Sequence, residues 1–286
     1  MLIKNEKEIE KIRIAAYIND FTLRILKDFI ENNYENINAK IVDDLAFEII
    51  TTLGGYPAFK NYKPPFTNET YIYSITLSLN EEIVHGLPLE SKVFKKGDIV
   101  SLDCGTIYKG FYADSAISFL LDDNDKLKSK LIKVCKEALD NCLEFAYHNS
   151  FVNLVSKAIE EYVLDNGFRV IKELSGHGVG KKLHEEPEIP NFYTHNYKQK
   201  LYNKMTIAIE PMITSGNGKI KLLSDKWTII TQDLAPAAHF EYTILITKSK
   251  PEILTNVPSN IFNEFYKKTK DIILKYFNNN KLKSYD

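Results

Sequence analysis

The sequence predicts an α+β fold of two similar halves around a shared sheet. Two observations predict it. A helix, helix, strands order occurs twice, at a period far longer than a solenoid repeat. No low-complexity linker separates the two runs. With 286 residues the chain has ample length for a sizeable core.

Each element follows from local pattern. Residues from about 5 to 31 read as an amphipathic helix, with Ile9, Ile12, Ala16 and Phe21 among its apolar positions. A second helix covers about 38–52 and stops at Gly54-Gly55. The stretch from Tyr56 to Tyr73 is rich in Pro and Tyr and too irregular for a helix. Short strands follow at about 74–79, 98–107 and 111–121. Two more helices cover about 125–147 and 150–166, the latter ending at Asn166-Gly167. The chain then returns to strands at about 169–173, 205–210, 227–231 and 238–247. Phe262, Phe265, Ile273 and Phe277 recur at helical spacing and predict a terminal helix over about 259–277, with a frayed polar end.

Composition narrows the function classes. The chain is 44% hydrophobic and 26% charged with a formal net charge of −1, which argues against coating nucleic acid or a membrane surface. Cys104, Cys135 and Cys142 form no CxxC pair and no even framework, so core packing in a reduced cytosolic compartment fits them. The N-terminal residues are too charged for a signal peptide, and no run approaches the length of a membrane span.

The most informative segment is a hairpin, Ile99 to Phe119, in which two β-rich runs flank Tyr108-Lys109-Gly110. A two-residue loop at Tyr108-Lys109 places Asp103 directly opposite Asp114, and a bulge at Gly110 would shift that register by one. Opposed carboxylates about 5 Å apart repel by roughly 3 kcal/mol at an effective dielectric of about 20. Solvation, protonation of one partner or a bound cation would each relieve the repulsion.

Three other segments offer metal-capable groups. His177 lies between glycines in Gly176-His177-Gly178-Val179-Gly180. Glu210 ends an apolar strand, with Pro211 behind it, and Glu241 interrupts a strongly β-prone strand. A carboxylate-rich set with one histidine suits Mn(II), Fe(II) or Co(II) better than a thiolate zinc site. Four carboxylates can bridge two ions about 3.5–4 Å apart. Taken singly, each acid is an ordinary solvent-facing strand residue. Spacing alone leaves a metal centre and unrelated surface acids both open. Gly176 to Lys182 lacks phosphate-loop spacing, His184-Glu185-Glu186-Pro187 is not HExxH, and no serine elbow supports a Ser-His-Asp site.

These segments together resemble the bacterial-type methionine aminopeptidases. The likeness runs through Ser78 to Pro88, Gly97 to Asp103, Gly110 to Asp114, Gly176 to Gly180, His184 to Pro187, Ile209 to Met212, Trp227-Thr228 and Phe240-Glu241. It spans residues 3 to 254, which sets an expected catalytic domain at 1–254 and a helical extension at 255–286. The resemblance implies the pita-bread fold, with pseudo-symmetric halves around a curved antiparallel sheet. It also implies two divalent ions (Co, Mn, Fe(II) or Zn) held by Asp103, Asp114, His177, Glu210 and Glu241. Asp103 would bind one ion through both oxygens, Asp114 and Glu241 would bridge the two, and His177 with Glu210 would complete the coordination of the second ion. Glu210 would help take the proton of a bridging water. His184 would contact the substrate carbonyl or developing oxyanion, and His85 the substrate amide. The free amine of the substrate would ligate a metal.

The same resemblance points to Phe59, Tyr62, Thr76, Leu183 and Trp227 as the methionine pocket. It departs at Thr76, where such enzymes often carry Cys, in the lengthened stretch Lys63 to Tyr73, and at Tyr242, where His is usual. The last change is expected to alter what supports the ligands without removing one. His239 stands where Gln or His is usual. The implied activity is removal of initiator methionine before a small second residue. Its substrates are peptides and nascent chains with N-terminal methionine, and the ribosome is a further candidate partner. No nucleic acid or membrane is required, and a cytoplasmic monomer is expected. The extension is expected to dock on the body. Two alternatives stand beside this reading, a proline-directed peptidase of the same fold and a non-enzymatic relative that binds peptide or ribosome.

Overall fold

Asparagine side chains open the first two helices. Asn5 accepts from the Glu8 N–H while Glu8 accepts from the Asn5 N–H, a reciprocal cap that starts α1 (Glu6–Asn33). Asn38 accepts from Ile41 N–H and starts α2 (Ala39–Thr52). The computed structural model describes residues 3–63, 69–122 and 124–277. Part of the lengthened stretch (64–68) and the polar tail (278–286) lie outside the described residues.

Short strands follow: β1 (Tyr56–Pro57), β2 (Thr76–Leu79), β3 (Glu82–Val84), β4 (Ile99–Tyr108) and β5 (Phe111–Leu120). Asp125 then caps α3 (Lys126–Cys142), accepting from Leu127 and Lys128 N–H groups, and α4 (Val152–Asp165) follows. The second strand series is β6 (Arg169–Val170), β7 (Ser175–Gly178), β8 (Glu185–Pro190), β9 (Thr206–Ile209) and β10 (Met212–Thr214). It continues with β11 (Ile220–Leu222), β12 (Ile229–Thr231), β13 (Ala237–His239), β14 (Tyr242–Leu245) and β15 (Glu252–Ile253), before α5 (Ser259–Tyr276). The predicted repeat of two helices followed by strands is present.

Three expectations need correction. Helix α3 was expected to reach residue 147 but ends at Cys142, followed by one 3-10 turn over Leu143–Phe145. Beyond that turn, Asn149 N–H bonds the Leu201 carbonyl and Phe151 bridges Lys200, so pairing with a distant segment draws the chain off the helix axis. The single strand expected at 238–247 is two strands, because β13 pairs with β10 and β14 with β9.

The third correction concerns the hairpin. Its two-residue loop is Lys109-Gly110, with φ of 47° and 80°, so Tyr108 pairs with Phe111. A turn with two left-handed positions favours glycine in one of them, and Tyr108 stays in the strand. Asp103 therefore pairs with Ala116, and Asp114 with Gly105. The register differs from the expected one by two residues, and side chains alternate with period two. The two acids still share a face, as diagonal neighbours about 7–8 Å apart rather than directly opposed. Their carboxyl groups nonetheless reach each other across the diagonal, and Asp103 helps push Asp114 upward.

The two halves meet at a bridge between Ala116 and Glu241. Helices cover the back of each half. Ile18, Phe21 and Leu26 of α1 pack with Leu45 and Ile49 of α2 against Leu77, Val100 and Leu102. Leu131 and Leu139 of α3 and Val155 and Ile159 of α4 pack on Ile207, Ile213 and Ile244. Helix α5 lies on α1, with Phe262 stacked edge-on at 4.8 Å from Phe21 and Phe277 at 5.0 Å from Phe29. No described helix is long and apolar enough to cross a membrane. The three cysteines are unpaired and buried.

Candidate metal centre and its apolar pocket

The acidic residues occupy two adjacent cross-strand rows. In the first row Thr76 pairs with Asp103, Asp103 with Ala116, and Ala116 bridges Glu241. The ladders on either side of the next gap pair Ile209 with Tyr242 and Met212 with His239, which brings Glu210 opposite Glu241. Two residues along lies the second row. There Gly105 pairs with Asp114, the Asp114 N–H and carbonyl both bond Thr243 Oγ1, Thr243 pairs with Ala208, and Ala208 with His177. A spacing of two residues puts both rows on one face. Small residues (Ala116, Gly105 and Ala208) separate the charged ones and leave room above the sheet.

Local sequence makes this possible. A Cβ on Gly176 would collide with the Ala208 carbonyl and one on Gly178 with the Glu186 carbonyl, so only glycines let the chain beside His177 approach so closely. Pro211 donates no hydrogen bond and separates β9 from β10, leaving Glu210 at the interruption. Glu241 occupies the matching break, its N–H bonded to the Ala116 carbonyl at 2.9 Å. Gly178 carbonyl lies 2.9 Å from His177 Nδ1, and His177 Nε2 lies 3.6 Å from Glu210 Oε1.

Burial is costly for these acids. It pushes Asp103 up to about 7 and Glu210 up to about 8. Asp114 is raised well above the carboxylate range by burial and then by Asp103, and Glu241 by burial and then by Asp114. Burial lowers the histidines, His177 to about 3 and His85 to about 4, with His184 and His239 moved the same way. Among the described residues lining the cavity there is no lysine or arginine. Asp103 Oδ1, Glu241 Oε1 and His239 Nε2 are buried and make no hydrogen bond. Asp114, His177 and Glu241 each offer an atom within 4.8 Å of the others, as do Glu210, His239 and Glu241. Orphaned carboxylate oxygens beside imidazoles, with no cationic side chain to balance them, fit divalent cations bound through oxygen and nitrogen.

The opposite wall is apolar. Phe59, Tyr71, Leu183 and Trp227 form a buried cluster with Tyr62 packed against it, and Tyr71 stands edge-on to Trp227 at 5.0 Å. Acidic and apolar walls enclose a cavity of about 390 Å³, large enough for a side chain and its backbone. His85 and His184 line it too, with Tyr62 Oη 2.8 Å from His184 Nδ1. His85 holds a left-handed φ of 60°, unusual for a side chain of its size.

The expected ligands Asp103, Asp114, His177, Glu210 and Glu241, the histidines His85 and His184, and the pocket residues Phe59, Tyr62, Thr76, Leu183 and Trp227 all line this one cavity. Thr76 Oγ1 lies 3.5 Å from Asp103 Oδ2. Tyr242 does not face it: the side chain points to α3, where its hydroxyl lies 3.3 Å from Asp140 Oδ1 and Lys136 covers its ring. Alternation turns Tyr242 outward because Glu241 points inward. Sequence reasoning missed Tyr71, Met212 and the placement of His239 among the acids. The His239-Phe240-Glu241 alternation carried the signal for His239.

The sequence profile of metallopeptidase family M24 matches residues 10–248. The methionine aminopeptidase of Aquifex aeolicus is 40% identical over 255 residues, 88% of this chain and 98% of that protein. The crystal structure of a Thermotoga maritima methionine aminopeptidase superposes with a TM-score of 0.82 at 40% identity, covering 89% of this chain and 99% of that one. Prolidase from Pyrococcus furiosus, 21% identical, covers 90% of this chain and 66% of its own with a TM-score of 0.69, a likeness of fold alone. The α+β architecture shared with them is the pita-bread fold.

Proposed function

This chain belongs to metallopeptidase family M24, among its methionine aminopeptidases, and we propose that it removes N-terminal methionine from peptides and nascent chains. The observation that carries this reading is the cavity itself, with an acidic wall that holds no Lys or Arg among the described residues, facing an apolar box, and two neutral histidines beside them.

Asp103, Asp114, His177, Glu210 and Glu241 would hold two divalent cations, with Mn(II), Fe(II), Co(II) and Zn(II) as candidates. When bound, such ions act as Lewis acids that polarise a carbonyl and acidify water. The chain's own groups do the rest. Phe59, Tyr62, Thr76, Leu183 and Trp227, with Tyr71, receive the unbranched methionine side chain and exclude solvent from it. His85 hydrogen-bonds the substrate amide. His184 donates to the scissile carbonyl oxygen as negative charge grows there. Glu210, whose carboxyl burial has already made more basic, accepts the proton of the attacking water. A small second residue is the expected preference. The active form is a cytoplasmic monomer that meets its substrates near the ribosome.

The test compares Met-Ala-x and Met-Lys-x peptides with a Pro-second peptide lacking methionine, on protein stripped with a chelator and reloaded with Mn(II), Co(II) or Fe(II). Methionine release from Met-Ala-x, dependent on added metal, is expected. Cleavage of the Pro-second peptide alone would transfer the reading to a proline-directed peptidase, and no cleavage at all would favour a peptide-binding relative.

A further inference from the structure

His239 belongs to a third row of the same sheet face, beside the one that carries Asp103 and Glu241. Ser78 pairs with Ser101, and Ser101 pairs with Ser118. Ser118 Oγ accepts from the His239 N–H at 2.9 Å and lies 2.8 Å from the His239 carbonyl, while Ser101 Oγ stands 2.6 Å away. These contacts pin the His239 backbone to β5. The residue is 1% exposed.

Its Nε2 is buried, makes no hydrogen bond, and lies 3.4 Å from Glu210 Oε2. The other oxygen, Glu210 Oε1, lies 3.6 Å from His177 Nε2, so the carboxylate is held between two imidazoles. A buried donor without an acceptor costs about 1–3 kcal/mol. Glu210 Oε2 is the acceptor within reach, and a small turn of the carboxylate completes the bond. We infer that His239 is a positioning residue: Nε2–H donates to Glu210 Oε2 and reserves Oε1 for the cation shared with His177. This inference rests on the metal-centre reading of the preceding section. Groups that orient a ligand typically change metal affinity 10- to 100-fold.

The experiment is calorimetric titration of Mn(II) into chelator-stripped protein, with kcat and KM on a Met-Ala-x peptide as a second readout. His239→Leu is expected to weaken one of the two Mn(II) sites about 10- to 100-fold, leave the other within about threefold, and lower kcat more than it changes KM. His239→Gln, whose amide N–H can reach the same oxygen, is expected to restore that site to within about threefold of the parent. Equal binding by the Leu variant and the parent would overturn the inference, reducing His239 to packing. A Gln variant as weak as the Leu variant would also overturn it, because the imidazole would then bind the ion itself. His239→Ala supplies the same comparison if the Leu variant does not fold. A parent that binds no Mn(II) overturns the metal centre as a whole, while peptidase failure with intact Mn(II) binding sinks only the proposed activity.

Discussion

Tyr62 Oη lies 2.8 Å from His184 Nδ1, joining residues 122 positions apart in the chain. Burial keeps His184 neutral, so Nδ1 can accept the phenol proton and leave the ring N–H on Nε2. That tautomer suits a donor to a developing oxyanion. Tyr62→Phe removes only the hydroxyl, and one hydrogen bond of about 1 kcal/mol corresponds to roughly a five- to tenfold loss. Initial rates on a Met-Ala-x peptide should show that loss mainly in kcat, at an unchanged melting temperature. Unaltered kcat would remove Tyr62 from the orienting role.

Asp114 lies on the shared face between Asp103 and His177, and its carboxyl is strained upward by burial and by Asp103. Asp114→Asn keeps the shape and removes the charge. Turnover should fall at least about a thousandfold, since a lost cation ligand forfeits several kcal/mol of transition-state stabilisation. Metal-free protein should melt no lower than the parent, because the substitution relieves a repulsion. Full activity in this variant would defeat the two-ion scheme.

Proton linkage gives a third expectation. In metal-free protein Glu210 rises from 4.5 to about 8 and Asp103 from 3.8 to about 7. Folding therefore favours their protonated forms, a contribution complete below about pH 4 and lost as pH climbs through 7 and 8. His177 and His85, lowered from 6.5 to about 3 and about 4, act oppositely: their contribution is present above pH 6.5 and lost as acid charges them. Above pH 6.5 the raised carboxylates set the slope, joined above about pH 8 by the buried thiols of Cys104, Cys135 and Cys142, which burial moves in the same direction. Chelator-treated protein should melt lower at pH 8.5 than at pH 6.5. Mn(II) affinity should rise by roughly tenfold for each proton displaced per pH unit over the same range. Thermal melts in chelator and titrations at the two pH values check both statements, and a flat profile in each would contradict them.

Phe262 of α5 seats its ring against Phe21, and Arg24 lies over its outer face. Phe262→Ala should cost about 3–5 kcal/mol in denaturant unfolding. Turnover at 25 °C by the folded fraction should be unchanged, since neither ring lines the cavity. A loss under about 1 kcal/mol would mean that the helix rests on the body without supporting it.

How much of this was legible in the chain depended on how local the information was. Helix starts were readable because Asn5, Asn38 and Asp125 cap their own first turns and the apolar spacing repeats every three to four residues. The Asp103–Asp114 pairing was readable to its face but not its register. Misplacing the loop by one residue moved the pairing by two, and a period of two returned both acids to the same side. A shift of one residue in pairing would have put Asp103 and Asp114 on opposite faces of the sheet.

Glu210 facing Glu241 was beyond any local rule, since it needs β9 and β14 to pair and both strands to break at the same point. His239 was half visible, sharing alternation with Glu241, yet only the Ser101–Ser118 contacts show why its ring stays beside Glu210. Sequence by itself determined the element order, the faces of the strands and the residue types able to bind a cation, because propensity, capping and side-chain alternation act over a few residues. Tertiary structure alone decided which acids meet, how far apart they stand and which aromatic rings close the pocket. Those depend on strand pairings between distant segments, and on small residues such as Ala116, Gly105 and Ala208 that leave space only when their neighbours are in place.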